Sequence, residues 1–232
     1  MDNNLKLTDR WEKFSDLNNS LNKKCDWLII RNFENLNDSF LFSEGEDIDI
    51  LCSDIDLLVD VMKAKKREGG RCAYTVNINN QNVPLDIRYI GDKYFDPLWA
   101  RDMLNNKKLY NGIPVLSDND YFFSLLYHIK LQKYFVKNEY VPRLLKLAEK
   151  IDFNGLDPNF IYDDKICAEI LNNFLEEKNY NYTYTDDARR NEKFLKKIIR
   201  KEIIDLSSNW RLLLKNLIHT ISNKLLNKLR IK

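Results

Sequence analysis

At 232 residues and a net charge of +2, the chain is long enough to bury an ordinary core, as one large domain or two small ones. A pI near 8.2 carries none of the polyelectrolyte character of a bulk nucleic-acid binder, so no DNA partner is expected. No run approaches the roughly 18 apolar residues of a membrane span, the polar first ten residues lack a secretory signal, and a cytoplasmic protein with reduced, mostly buried thiols at Cys25, Cys52, Cys72 and Cys167 is expected.

Taken in chain order, residues 5–21 place Leu5, Leu7, Trp11, Phe14, Leu17 and Leu21 near a 3.6-residue period, which predicts an amphipathic helix covering one face of a sheet. Residues 26–33 read D-W-L-I-I-R-N-F and predict a first strand that delivers Arg31 and Asn32 to its C-terminal end, where polar groups line the mouth of a site. Turn-forming residues make 34–42 a loop, and Gly45 would let the backbone pass close to a ligand.

The stretch 43–53, S-E-G-E-D-I-D-I-L-C-S, is the centre of the sequence. Asp47 and Asp49 flank one isoleucine at the start of an apolar run, so on a strand both carboxylates emerge on one face. Adjacent like charges on a buried strand call for a cation between them, and a hard one such as Mg²⁺ (or Mn²⁺) takes oxygen ligands. The bland alternative is a solvated acidic turn. Asp54 and Asp56 repeat the spacing but belong to a different element. Ser53 and Asp54 are capping residues, Leu57, Leu58, Val61 and Met62 have helical spacing, and the basic segment 63–67 with Gly69-Gly70 marks the stop.

Residues 71–78 and 83–90 predict two strands joined by a hairpin loop, N-N-Q-N. In the second, Val83, Leu85, Ile87 and Tyr89 alternate with Pro84, Asp86, Arg88 and Ile90, which leaves Asp86 on a polar face. Asp86 either pairs with Arg88 or joins Asp47 and Asp49 in a trio while Arg88 meets phosphate. Asp96-Pro97 opens a helix over 98–104. Residues 110–116 predict a turn and an edge strand that tolerates Pro114. Ser117 and Asp118 cap a helix running through Tyr134 with a core stripe at Tyr121, Phe122, Leu125, Leu126 and Ile129. His128 on that helix reads as a packed or capping histidine, and Lys130 and Lys133 either reach a nucleotide phosphate or belong to a solvated helix surface.

The rest reads as helical over 141–151, 163–177, 187–204 and 209–232, with the Asn/Tyr stretch 179–185 as a packed interhelical loop or a stacking surface. Residues 209–232 hold six basic residues (Arg211, Lys215, Lys224, Lys228, Arg230, Lys232) and no acidic one beside a helical apolar stripe. This predicts either a closing core helix or an interfacial helix giving peripheral contact with anionic lipid. The expected division is an α/β domain over 1–134 and a helical domain over 135–232, of α+β class.

E-G-E-D-I-D-I-L together with P-L-D-I-R resembles the nucleotidyltransferase superfamily of DNA polymerase β-like fold, over about residues 26–133. Within it the chain looks most like small bacterial nucleotidyltransferases encoded among cell-envelope polysaccharide genes, which carry a similar R-N-F/Y-E-x-L and G-x-D-I-D-I-L pattern. The resemblance implies a mixed sheet with flanking helices and a metal-binding triad of Asp47, Asp49 and Asp86. It further implies nucleotidyl transfer from an NTP to a small hydroxyl or phosphate acceptor. The family's Gly-Ser phosphate turn is missing, and Arg31 and Asn32 stand about where it should be, so a guanidinium would replace backbone amides at the phosphate. Two other readings stay open: a toxin-type enzyme that modifies protein or tRNA, and a non-catalytic binding module in which Asp86 pairs with Arg88.

Overall fold

The computed structural model describes residues 10–34, 36–38, 47–68, 70–133, 135–153, 155–183 and 191–197. The chain divides into a unit of Met1–Ile199 and one of Arg200–Lys232, and the basic segment 209–232 lies outside the described residues, as does Gly45. The first unit runs past the boundary expected at 134/135, because the helices that follow pack on the one before it.

The fold is α+β. Among the described residues seven strands form one mixed sheet: β1 Trp27–Arg31, β2 Ile48–Cys52, β3 Lys65–Lys66, β4 Ala73–Ile78, β5 Gln81–Tyr89, β6 Lys108–Tyr110 and β7 Ile113–Val115. Their order is β3-β4-β5-β2-β1-β7-β6. The β2–β5 and β1–β7 pairs are parallel and the others antiparallel. Helices are α1 Phe14–Lys24, α2 Ile55–Met62, α3 Pro97–Asn105, α4 Asp118–Leu131, α5 Tyr140–Lys150, α6 Asp164–Glu177 and α7 Glu192–Leu195. No helix among the described residues is long and apolar enough to cross a membrane.

Alternation in β5 does what its sequence requires. Val83, Leu85 and Ile87 are buried on one face, leaving Asn82, Pro84, Asp86 and Arg88 on the other. The β4–β5 turn is the two-residue pair Asn79-Asn80, with φ of 48° and 61°. Both residues therefore sit in the left-handed region that a type I′ hairpin needs and asparagine tolerates. The loop is shorter than N-N-Q-N, since Gln81 and Asn82 are already paired with Ile78 and Asn77.

Caps account for the helix starts. Asp54 accepts from Leu57 N, Asp96 from Leu98 N, Ser117 from Asp120 N, and Asp163 from Lys165 N and Ile166 N. Three expectations are corrected. Trp11 precedes α1 and bridges to Ile78 instead of turning helically, its N–H donating to Asn77 O and its C=O accepting from Asn79 N. The basic segment after α2 is strand: Lys63 adopts φ of 57° as the C-cap, and Lys65 and Lys66 pair with Thr75 and Tyr74, because the apolar stripe ends at Met62 and nothing after it can be buried by a further turn. Finally, β7 is internal and β6 is the edge; β7 meets β1 at the rung Ile29–Val115, so the missing N–H of Pro114 removes no bond there.

Helix α4 is buried from Asp120 through Leu131, far more than the predicted stripe. It is the central helix, with β1 against it and α5, α6 and α7 around it. An aromatic layer fills the space beside it: Trp99 is fully buried among Phe95, Tyr127, Phe174 and Tyr180, at ring-centroid distances of 5.1, 5.5, 5.2 and 5.8 Å. Tyr180 and Tyr182 come from the Asn/Tyr stretch and stack on Trp99 and Tyr127, so that part of it is a packed interhelical loop. The four cysteines are free thiols, three of them buried, with Cys25 partly exposed.

Candidate active site

Two features of strand register assemble the site. In the parallel pair β2–β5, Asp49 stands opposite Asp86, so the two carboxylates share a face on neighbouring strands. In the antiparallel pair β1–β2 the register slips by one residue: Ile29 faces Ile50 and Arg31 faces Asp49, with Ile30 the extra residue. Without that bulge Arg31 would fall opposite Ile48 and on the packed face. The bulge re-aims it onto the carboxylates, and Arg31 Nη2 donates to Asp49 Oδ1 at 2.5 Å. One strand over, Arg88 Nη2 donates to Asp86 Oδ2 at 2.9 Å.

The electrostatics are those of a crowded cluster. Burial pushes the Asp49 carboxyl up, Arg31 opposes the shift and Asp47 adds to it. Asp86 is likewise raised by burial against the pull of Arg88, with Asp49 adding. Asp47, half-buried just before β2, is raised by burial and then by Asp86, against Arg31 and Arg67. Each carboxylate thus feels another, and two guanidinia keep the group from losing its charge altogether. The ammonium of Lys133 is lowered by burial and by Arg31, and it too feels Asp49 and Asp47.

Tyr94 braces the two arginines. Its ring lies 4.1 Å beneath the Arg88 guanidinium, its hydroxyl accepts from Arg31 Nη2 at 3.4 Å, and its backbone N–H donates to Asp92 Oδ1. Behind it, Tyr94 Oη lies 3.1 Å from His128 Nδ1, itself 2.7 Å from Gln132 Oε1. Burial holds the His128 imidazole well below its ordinary pKa, with Arg31 contributing, so it is neutral and part of the packing. Arg31 Nη1 is buried with no hydrogen-bond partner among the described residues. Leaving a buried guanidinium N–H unmade costs about 1–3 kcal/mol, and an anionic oxygen would relieve it.

Not every predicted residue joins the cluster. Asn32, with φ of 61°, accepts from Arg143 Nη1 through Oδ1 at 2.9 Å. Lys130 is turned to the far side of α4, where it is buried, ion-paired with Asp164 at 2.8 Å and 5.7 Å from the Phe194 ring centroid. Lys133 is the lysine of α4's end whose charge reaches the carboxylates. Tyr94 and the bulge at Ile30 were missed from sequence. The tyrosine had only the turn around Gly91 as a marker, and no residue type marks a bulge.

Among the described residues no three Asp, Glu, His or Cys groups are gathered so as to hold a metal ion. Mg²⁺ commonly takes one or two carboxylates and completes its shell with water and substrate phosphates. Asp49 and Asp86, with Asp47 beside them, fit that demand in donor type, since each arginine contact uses a single carboxylate oxygen. The donor set suits a cation that arrives with a phosphate ligand better than one caged by protein alone. The sequence matches no protein-family model, and no match was found among curated proteins or solved structures.

Proposed function

We propose that the chain is a nucleotidyltransferase-like enzyme that moves a nucleotidyl group from an NTP to a small hydroxyl or phosphate acceptor, with Asp47, Asp49 and Asp86 as its functional carboxylates. The observation that carries the reading is the Asp49–Asp86 juxtaposition across parallel strands, with a third carboxylate, Asp47, that raises Asp49 and is itself raised by Asp86. A divalent cation held by these groups would supply neutralisation of phosphate charge. The chain's own residues would do the rest. Arg31 offers a buried, unbonded N–H to a phosphate oxygen. Asp86, raised by burial and anchored at one oxygen by Arg88, is suited to accept the proton of an attacking hydroxyl. Tyr94 fixes the spacing of both guanidinia. The sequence resemblance adds envelope polysaccharide metabolism as the setting.

A second reading has a specific observation of its own. The Arg31–Asp49 and Arg88–Asp86 ion pairs neutralise two of the three carboxylates without any metal, as a non-catalytic binding module would. Calorimetric titration of the intact protein with each NTP, with and without Mn²⁺, followed by assay of pyrophosphate release over an acceptor mixture, separates the two. The enzyme reading expects metal-dependent nucleotide binding and pyrophosphate release, both lost in Asp49→Asn with Asp86→Asn. Binding without release favours the module, and absence of metal-dependent binding rules out the enzyme.

A further inference from the structure

Behind the carboxylates, one ring nitrogen has two neighbours and can serve only one of them. His128 Nδ1 lies within hydrogen-bonding distance of two oxygens, Tyr94 Oη at 3.1 Å and Gln132 Oε1 at 2.7 Å. In a neutral imidazole a ring nitrogen carries either a proton or a lone pair, so it cannot accept from the tyrosine and donate to the amide at once. An amide oxygen only accepts, and two acceptors 2.7 Å apart would repel. The shorter contact therefore needs the proton on Nδ1. Helix geometry holds it there: Gln132 closes α4 with its backbone N–H donating to His128 O, and its side chain reaches back one turn to the ring. Burial keeps the imidazole neutral, so this is the ring's single proton.

That tautomer leaves the Tyr94 hydroxyl proton with nothing to donate to. Among the described residues the hydroxyl oxygen has two hydrogen-bonding neighbours, Arg31 Nη2 and His128 Nδ1, and both are then donors. The side chain cannot swing away to find an acceptor elsewhere. Its ring is wedged between the Arg88 guanidinium, 4.1 Å from the centroid, and Phe95, whose ring meets it edge-on at 4.8 Å, and its backbone N–H donates to Asp92 Oδ1. Arg31, in contact with that hydroxyl, has the same surplus, since its Nη1 is buried without a partner among the described residues. Two neighbouring buried donors of this kind call for an acceptor from outside. The cluster reaches solvent beside them at Asp86, whose side chain is 24% exposed.

We infer that the Tyr94 hydroxyl is a ligand-contacting donor that joins Arg31 Nη1 in holding a phosphate of the substrate, and that His128 and Gln132 are positioning residues that keep its proton turned toward the site. The inference rests on the reading of the cluster as a phosphate-binding site, and it adds to that reading a second donor and the hydrogen-bond chain that orients it. The O–H is neutral, so it supplies a donor without adding charge to a cluster that already holds two guanidinia. A phosphate oxygen is the acceptor that satisfies both groups, because an ionised oxygen strengthens each hydrogen bond it receives.

The test has a spectroscopic arm and a binding arm, both on the full chain. In ¹⁵N-labelled protein without ligand, His128 is expected to show a protonated Nδ1 and a bare Nε2; a bare Nδ1 overturns the inference. Inorganic triphosphate with Mg²⁺, the part common to every NTP, is then titrated by calorimetry and by the Tyr94 ring-carbon shift beside the hydroxyl. Saturable movement of that shift is expected, with Tyr94→Phe binding about tenfold more weakly. Gln132→Met leaves Tyr94 able to accept from Arg31 and removes only the acceptor that holds the Nδ1 proton. It is expected to bare Nδ1 and to weaken triphosphate by about threefold or more, a pairing that loss of packing alone would not produce. Triphosphate binding undiminished in Tyr94→Phe overturns the inference and leaves the phosphate-site reading standing, whereas no binding by the unaltered chain overturns that reading and the inference with it. Should a variant fail to fold, the His128 tautomer and the Tyr94 shift in the unaltered chain decide.

Discussion

The aromatic layer beside α4 is buried and the carboxylate cluster on β2 and β5 is buried at Asp49 and partly so at Asp47 and Asp86, and the two are built on opposite terms. Around Trp99, large rings bury apolar surface and meet at tilted or stacked angles, and each such pair adds about 0.5–1.5 kcal/mol beyond burial. The polar atom involved is matched: Trp99 Nε1 donates to Asp120 Oδ1 at 3.1 Å. Around Asp49, burial is a cost that two guanidinia offset only in part, so three carboxyls stay raised and Arg31 Nη1 stays unbonded. The helical layer supplies stability, and the strand cluster consumes some of it, which is what a site prepared for a charged ligand looks like.

The largest blow to this contrast should come from the aromatic side. Trp99→Ala removes a fully buried indole and strips Asp120 of a donor, and a loss of about 3–5 kcal/mol is expected in urea unfolding; a loss under about 1 kcal/mol would show that the layer is not the stabilising half. Arg31→Met should cost about 3 kcal/mol at neutral pH by leaving Asp49 buried and uncompensated. That loss should shrink as pH falls through the raised Asp49 pKa, and adding Asp49→Asn should recover much of it. A double-mutant cycle measures the coupling directly.

The next two effects are smaller and have opposite signs in pH. His128 is held neutral in the fold, so below its ordinary value near 6.5 the unfolded chain binds a proton the native one refuses. Stability should therefore be full above that pH and fall below it, by at most about 1.4 kcal/mol per pH unit from this group, and His128→Asn should flatten the slope. Asp47 runs the other way. Its raised pKa means the native state takes the proton first, so its charge weakens the fold as pH rises through the shifted value. Asp47→Asn is accordingly expected to stabilise the protein at neutral pH, on the order of 0.5–1 kcal/mol, while depriving the site of a carboxylate. Chemical denaturation at several pH values reads both, and a destabilised Asp47→Asn protein would sink the idea that this charge is strained.

Much of this was legible in residue order. The D-x-D opening an apolar run gave β2, the period-two alternation of 83–90 gave β5 with Asp86 on its polar face, and Asp54, Asp96 and Ser117 announced their helices through capping chemistry. What escaped depends on contacts distant in sequence. Lys130 looks solvated until α6 brings Asp164 to it. Arg31 looks like a strand-end residue until the bulge turns it toward Asp49. The basic run after α2 resembled a helix C-terminus and became β3 because a partner strand was available, a choice that local propensity does not make.

The parallel rung between Asp49 and Asp86 also bears on how the molecule comes together in time. The β4–β5 hairpin closes through a two-residue turn and needs only local contacts, of the kind that form within microseconds. β2 and β5 instead join residues 37 positions apart with a helix and two strands between them, and loop-closure entropy must be overcome before that pairing returns anything. The carboxylates should therefore meet late, on a hairpin already made. Substitutions in the Asn79-Asn80 turn would then slow folding, whereas Asp49 and Asp86 variants would act mainly on the unfolding rate.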